Sequence, residues 1–217
     1  MGLILSASAG SGIEPIEPGT YPAICYGLVD AGETYSETYD KWSRKVVILW
    51  ELPGEKIDLG GDAPVSRTIS KTYTASLNEK AKLRADLQAW RGRPFTPQEL
   101  AAFDLRSVVG APCLLNIQHR EYKERNYADV AGIVKLPKAM PMEKGTLARL
   151  IFDLDTDNLE MLEDMPVWLA ERVKSSRTYQ ARIHPAQVTD VLAMDDLAGQ
   201  AAQAEQYGDI DDEEIPF

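Results

Sequence analysis

The order of local patterns along the chain limits its fold more than any other feature. Three segments with strand character come first, one helical segment follows, and two more strand segments come after it. In the strand segments, β-branched and aromatic residues alternate with polar ones, as in strands that bury one face. This order predicts a mainly β domain that carries one helix between its third and fourth strands.

Five strands are predicted between turn residues. They cover residues 20–29, 44–52, 67–74, 112–118 and 127–136. Gly27 marks a bend or bulge inside the first strand. The helix is predicted after Ser76 or Asn78, either of which can cap it, and its buried stripe is Leu83, Leu87 and Trp90. Thr96 opens a further capped helical turn.

Three strands, a helix and two strands is the order of an OB-fold, a five-stranded barrel. In such barrels the loop between the first two strands and the loop between the last two grip oligonucleotides. We therefore predict an OB-fold domain over residues 18–137, with those loops at residues 30–43 and 119–126.

Both predicted loops are rich in aromatic and basic residues. Each nucleotide of single-stranded DNA exposes a phosphate charge and a base face, so a sequence-tolerant binder needs cations and rings along one groove. The candidate rings are Tyr35, Tyr39, Trp42, Tyr73, Tyr122 and Tyr127. The candidate phosphate contacts are Arg44, Lys45, Arg67, Lys71, Arg120, Lys123 and Arg125. Tyr73 fits a position that covers the barrel equally well.

Three further segments flank the predicted barrel. Residues 1–17 are rich in Gly and Ser and predict a flexible arm. Residues 138–185 predict a small helical extension that packs on the barrel, with helical spacing from Thr146 through Leu150 and a helix start at Pro166. Residues 186–217 predict a flexible acidic tail.

The net charge of −11, from 23 Lys and Arg against 34 Asp and Glu, is unevenly distributed. Residues 1–137 hold 16 basic and 17 acidic residues, whereas residues 189–217 hold nine acidic residues and no basic one. The negative charge is therefore concentrated in the tail, and the barrel can collect its cations on one face.

The tail ends in five carboxylates within residues 209–214, followed by Ile-Pro-Phe. An apolar residue beside a terminal carboxylate can enter a small apolar pocket with a basic rim on another protein. The predicted partner-binding residues are Asp211, Asp212, Glu213, Glu214, Ile215, Pro216 and Phe217. The alternative is an acidic tail that serves solubility and happens to end in Phe.

This ending resembles the C-terminal tip of bacterial and phage single-stranded DNA-binding proteins, which finish with acidic residues and Ile-Pro-Phe. Segments 19–23, 45–53, 76–80, 152–154 and 166–168 are also similar to a phage group of OB-fold replication proteins. The resemblance implies sequence-independent binding and protection of single-stranded DNA in phage replication and recombination. It also implies that the tip recruits host or phage replication, repair and recombination proteins, in the bacterial cytoplasm. It identifies no individual DNA contact.

Two functions from other classes, an adaptor and an enzyme, would use different residues of this chain. An adaptor would use the tip without binding DNA. Residues 150–157 resemble the loop of haloacid-dehalogenase phosphotransferases, and a Mg²⁺-dependent enzyme of that family would use Asp153 and Asp155. The resemblance implies a parallel sheet that this chain does not offer, and an Asp-rich helix start explains these residues more simply. We therefore expect a non-enzyme with no cofactor and no metal, as a monomer or small homo-oligomer.

Two other features place the chain in a reducing, aqueous compartment. Cys25 and Cys113 lie far apart in apolar segments without metal-ligand spacing, which indicates reduced core residues, although one disulfide between them is an open alternative. No apolar run has the length of a membrane span.

Overall fold

The computed structural model describes residues 14–37, 39–122 and 125–185, without the side chains of Tyr122 and Arg125. These residues contain six strands and four short α-helices. The strands are β1 (Gly19–Ser36), β2 (Lys41–Ile57), β3 (Val65–Thr74), β4 (Pro112–Tyr122), β5 (Arg125–Lys135) and β6 (Leu150–Phe152). The helices are α1 (Lys82–Arg91), α2 (Pro97–Ala101), α3 (Val167–Lys174) and α4 (Arg177–Ile183), with 3-10 turns at Leu105–Val108 and Leu159–Asp164.

The strands form one sheet in the order β3-β2-β1-β4-β5, and each neighbouring pair is antiparallel. The predicted mainly β fold is confirmed, but the sheet has six strands instead of five and is not closed. Within the described residues, no backbone pairing joins β3 to β5. The ammonium of Lys71 on β3 donates to the carbonyl of Val130 on β5, over 2.6 Å, and so links the two edges through a side chain.

The sixth strand corrects the helical pattern predicted from Thr146. β6 runs parallel to β1, with Leu150 opposite Gly27 and Phe152 opposite Val29. β4 pairs with β1 only as far as Ile24, and Cys25 bonds with the backbone of Ala111 and Gly110, so this edge of β1 is available to β6 from Gly27 onward. Buried backbone groups need hydrogen-bond partners, and this requirement overrides the helical spacing.

One core lies between the sheet and α1. Leu83, Leu87 and Trp90 are buried, which confirms the predicted stripe, and the rings of Trp50 and Trp90 have centroids 6.0 Å apart. The predicted caps of this helix are wrong: its N-cap is Ala81, which makes no side-chain cap hydrogen bond.

Two smaller sequence predictions are confirmed nearby. Thr96 and Glu99 form a capping box at the start of α2, which satisfies backbone N–H groups at the helix start. A register shift between Cys25 and Gly27 places a bulge in β1, where a Cβ on Gly27 would lie 2.6 Å from Leu49 Cδ1.

A second core covers the opposite face of β1 and β2. Val47 and Leu49 of β2 pack there with Phe152 of β6 and with Leu169 and Val173 of α3. The residues that follow β5 are thus part of the folded body, because they bury an apolar face that β1 and β2 would otherwise expose.

Glu51 anchors the start of this second layer. Its carboxylate is 1% exposed and accepts hydrogen bonds from the backbone N–H groups of Thr146 and Leu147 and from the Thr146 hydroxyl, at 2.8–3.1 Å. Burial alone would raise the pKa of Glu51, but these hydrogen bonds outweigh it and hold the pKa below its ordinary value. Folding therefore uses the ionised carboxylate to attach residues 146–147 to β2.

Both cysteines are buried free thiols, as the reduced state predicts. Burial raises the pKa of Cys25 to about 12 and raises that of Cys113 as well. Among the residues that the structure describes, none of the helices is long and apolar enough to cross a membrane.

Candidate nucleic-acid interface

The first predicted loop is a two-stranded ribbon. β1 and β2 continue beyond the core, with Glu33 opposite Arg44, Tyr35 opposite Trp42 and Ser36 opposite Lys41. The prediction of a loop over residues 30–43 is wrong, because Tyr35 pairs with Trp42 and Thr34 pairs with Ser43 across the two strands, and such pairs stabilise a hairpin. We call residues 33–44 the aromatic ribbon; Thr38 lies outside the described residues.

Three rings of the aromatic ribbon face solvent. Tyr35 is 46% exposed, Tyr39 is 73% exposed and Trp42 is 48% exposed. Tyr35 and Trp42 contact each other with ring centroids 5.5 Å apart and planes inclined by 55°. The Tyr35 hydroxyl also donates to the Asp40 carboxylate, which raises the pKa of Tyr35. The ribbon therefore presents aromatic faces to the solvent, as base stacking requires.

Two cations outside the predicted set lie over these rings. The Lys41 ammonium is 6.0 Å from the centroid of Tyr39, and Cζ of Arg177 is 5.2 Å from that of Trp42. Lys41 lies within the predicted loop, and the signal that identified Arg44, a basic residue next to aromatic ones, applies to Lys41 as well. Arg177 lies in α4, and only the fold brings it to the ribbon.

The two predicted phosphate contacts on β2, Arg44 and Lys45, differ in whether a carboxylate neutralises their charge. Arg44 donates to the carboxylates of Asp30 and, at 2.6 Å, Asp155. The hydrogen bond to Asp30 is the main cause of a raised pKa for Arg44. Lys45 donates to the neutral hydroxyl of Thr74 at 2.9 Å and, within the part of the chain that the structure describes, pairs with no carboxylate. Lys45 therefore fits a phosphate contact better than Arg44 does.

Two residues of β3 that the sequence predicts to contact DNA, Lys71 and Tyr73, face the interior of the protein. Tyr73 is 3% exposed and its hydroxyl donates to the Asp86 carboxylate at 2.9 Å, while Lys71 lies 3.3 Å from the same carboxylate. The alternation along β3 puts Lys71 and Tyr73 on one face with Ile69, and this face packs on α1. We therefore remove Lys71 and Tyr73 from the candidate site. Arg67 is half-buried and donates to the carbonyl of Glu14.

The second predicted loop is also shorter than predicted. β4 and β5 remain paired to Tyr122 and Arg125, with Arg120 opposite Tyr127. Arg120 is exposed and Tyr127 is half-buried. The side chains of Tyr122 and Arg125 and all of Lys123 lie outside the described residues.

The two hairpins extend from opposite ends of β1. β4 pairs with residues 19–24 of β1, whereas β2 pairs with residues 24–36. A ring nitrogen of His119 lies 3.0 Å from the carbonyl of Ile16, so β4 continues alongside the residues that precede β1. A nucleic-acid strand that touched both hairpins would therefore cross the sheet.

A cluster of carboxylates lies beneath the aromatic ribbon. Oxygens of Asp30, Asp153 and Asp155 lie within 4.8 Å of one another, and the guanidinium of Arg44 bridges Asp30 and Asp155. Asp153 accepts from the backbone N–H of Asp155 at 3.0 Å, in a turn after β6 and not in the predicted helix start. These hydrogen bonds and the ion pair give the cluster a structural role in holding the turn against β2.

Comparison with known proteins adds no family: a scan against protein-family models and a search of curated proteins both found no match. The predicted partner-binding residues Asp211–Phe217 lie outside the described residues. The function is therefore argued from the geometry of the described residues and from the sequence.

Proposed function

We propose that this protein binds single-stranded DNA without sequence preference, through an OB-type barrel whose main stacking surface is the aromatic ribbon. The strand order β3-β2-β1-β4-β5, with α1 between β3 and β4, supports an OB-type arrangement whose seam lies between β3 and β5. The contact between Lys71 and Val130 across that seam supports the same arrangement.

The observation that carries the proposal is the exposure of Tyr35, Tyr39 and Trp42 on one hairpin. Clustered aromatic rings lose hydrophobic stabilisation when they face water, so their exposure favours a binding role. Stacking of a base on such a ring contributes about 1–3 kcal/mol and tolerates any base, because every base has a π-face.

The charges near the hairpins give the proposed site its salt dependence. Four of these cations pair with no carboxylate among the described residues: Lys41, Lys45, Arg120 and Arg177. For single strands the affinity falls with salt by a logarithmic slope of about 0.7 for each neutralised phosphate, so four contacts give a slope of about −3. Binding of this kind combines stacking with a moderate electrostatic component.

We further propose that the protein acts in phage DNA replication and recombination. The acidic segment Asp211–Phe217 recruits host or phage replication, repair and recombination proteins. The tether predicted from the sequence of residues 186–208 would hold that segment at an effective concentration of order millimolar near the cations of the barrel, where it would compete with DNA. Deleting residues 209–217 should therefore tighten DNA binding at low salt and abolish recovery of a repair protein in pull-downs.

Titration of the full chain with oligo(dT) tests DNA binding. Stacking on Trp42 should quench its fluorescence, and the Trp42→Phe variant should remove that part of the signal while keeping most of the affinity. A parallel gel-shift series with single-stranded and duplex DNA at two salt concentrations should show a preference for the single strand. No quenching and no shift at micromolar protein would reject DNA binding and favour an adaptor that uses only its C-terminal segment.

A further inference from the structure

The junction between α3 and α4 is fitted closely against β1. Gly32 has a φ of +68° at a second register shift of β1, and a Cβ there would lie 2.8 Å from Leu154 Cδ2 and closer still to Ser176 Oγ. Any larger residue would clash and would also be strained at this φ. The absence of a side chain at residue 32 thus allows the start of α4 to approach the base of the aromatic ribbon.

Two hydrogen bonds fix the start of α4 in this position. The hydroxyl of Ser176 accepts from the N–H of Tyr179 at 3.1 Å and caps the helix. The hydroxyl of Thr178 accepts from the N–H of Glu33 at 3.0 Å and joins the helix to β1. Arg177 lies between these two residues, so its backbone is held beside the ribbon and its guanidinium reaches the ring of Trp42.

Arg177 also changes the charge balance of the aromatic ribbon. Residues 33–44 contain three acidic residues, Glu33, Glu37 and Asp40, and two basic ones, Lys41 and Arg44. Arg44 is already paired with Asp30 and Asp155. A ribbon of this composition would repel phosphate, and Arg177 supplies the missing positive charge from the C-terminal layer.

We infer that Arg177 is a nucleic-acid contact, so that the start of α4 is part of the binding surface as well as a cover for the sheet. This inference rests on the proposed function. In the free protein the guanidinium lies over Trp42, and in the complex it contacts the phosphate of the nucleotide whose base stacks on that ring. Arginine suits both positions, because its planar group stacks on aromatic faces and donates two parallel hydrogen bonds to a phosphate.

The test compares Arg177→Ala with Arg172→Ala in the full chain. Arg172 lies on α3, is exposed and carries the same charge, so its removal matches the change in net charge. Affinity for oligo(dT) is measured by fluorescence at several salt concentrations. Arg177→Ala should weaken binding roughly fivefold at low salt and reduce the salt slope by about 0.7, whereas Arg172→Ala should leave both unchanged.

A third variant separates charge from hydrogen-bond geometry, and thermal melting of each variant checks its folding. Arg177→Lys should restore the salt slope but only part of the affinity, because an ammonium cannot donate two parallel hydrogen bonds to a phosphate. If the unmodified protein binds and Arg177→Ala behaves like Arg172→Ala, the role of Arg177 is rejected while DNA binding stands. If the unmodified protein fails to bind, the proposed function is rejected and this inference with it.

Discussion

The aromatic ribbon and the contact between β3 and α1 contain similar side chains in opposite environments. In the ribbon, Arg177 lies 5.2 Å from the ring of Trp42. In the second region, Lys71 lies 5.3 Å from the ring of Tyr73. The difference is Asp86, a buried carboxylate that accepts from the Tyr73 hydroxyl and pairs with Lys71 and Lys82. A cation beside an aromatic ring therefore does not by itself define a binding site. Where the pair is buried and a carboxylate neutralises the cation, as with Lys71, Tyr73 and Asp86, its role is structural.

Removing Asp86 should have the largest effect on stability. Asp86→Ala leaves the Lys71 charge and the Tyr73 hydroxyl partly buried with fewer partners, which should lower the free energy of unfolding by about 3 kcal/mol. Denaturant melts measure this change. Asp104→Ala is the comparison, because Asp104 is exposed, pairs with its neighbour Arg106 and caps the 3-10 turn that follows it, so its loss should cost only about 1 kcal/mol. Equal stability of the two variants would contradict the role assigned to Asp86.

Removing the ring of Trp42 should have the largest effect on binding. Trp42→Ala should lower the affinity for oligo(dT) by about 1–3 kcal/mol, because it deletes a stacking surface, and it should lower the melting temperature only slightly, through loss of the contacts with Tyr35 and Arg177. Trp42→Phe keeps an aromatic face and should lose much less. A large loss of stability in Trp42→Ala would show instead that the ribbon is part of the core.

The hydroxyl of Tyr73 should affect stability and leave binding unchanged. Tyr73→Phe removes one buried hydrogen bond and should cost about 1 kcal/mol at neutral pH, with no change in affinity for oligo(dT).

The same residue gives an alkaline pH dependence. Burial first, and then Asp86, raise the pKa of Tyr73 in the folded state, so the native protein holds this proton more tightly than the unfolded chain does. The stability that Tyr73 contributes is complete below pH 10 and is lost as the pH rises beyond it, with a slope of up to about 1.4 kcal/mol per pH unit. Unfolding free energies of Tyr73→Phe between pH 9 and 11 should fall less steeply than those of the unmodified protein. Parallel curves would contradict the assignment.

The ring of Tyr39 should have the smallest effect. It lies at the tip of the ribbon with Lys41 as its ring partner, so Tyr39→Ala should weaken binding of oligo(dT) by roughly threefold, less than Trp42→Ala. Direct titration under the same salt conditions compares the two. A larger loss of affinity in Tyr39→Ala than in Trp42→Ala would show that bases stack mainly at the tip of the ribbon.

The sequence predicts which side chains share a face of the sheet, but it does not predict what that face contacts. The alternation in β2 and the spacing of Leu83, Leu87 and Trp90 identify buried faces, because periodicity reports which side chains share a face. Periodicity does not report whether that face points to the core or to a ligand. For this reason Lys71 is predicted as a DNA contact although its face is internal, and for Tyr73 the alternative of a residue that covers the sheet agrees with its burial.

Two other features depend on distant parts of the chain. The strand Leu150–Phe152 forms because β4 leaves part of β1 unpaired, which no local pattern indicates. Arg177 reaches Trp42 through a close approach at Gly32. A Gly within a strand pattern signals a bulge or a close backbone contact, but it does not identify the segment that makes the contact.

The link between β3 and β5 by a side chain has a consequence for hydrogen exchange. A strand edge without a backbone ladder leaves amide protons unprotected, whereas β1 has neighbours on both sides. We expect deuterium to enter the outer amides of β3 and β5 before those of β1 and β2. Replacing Lys71 with Met should widen that difference, since it removes the hydrogen bond that links the two edges directly and leaves only their shared packing on α1.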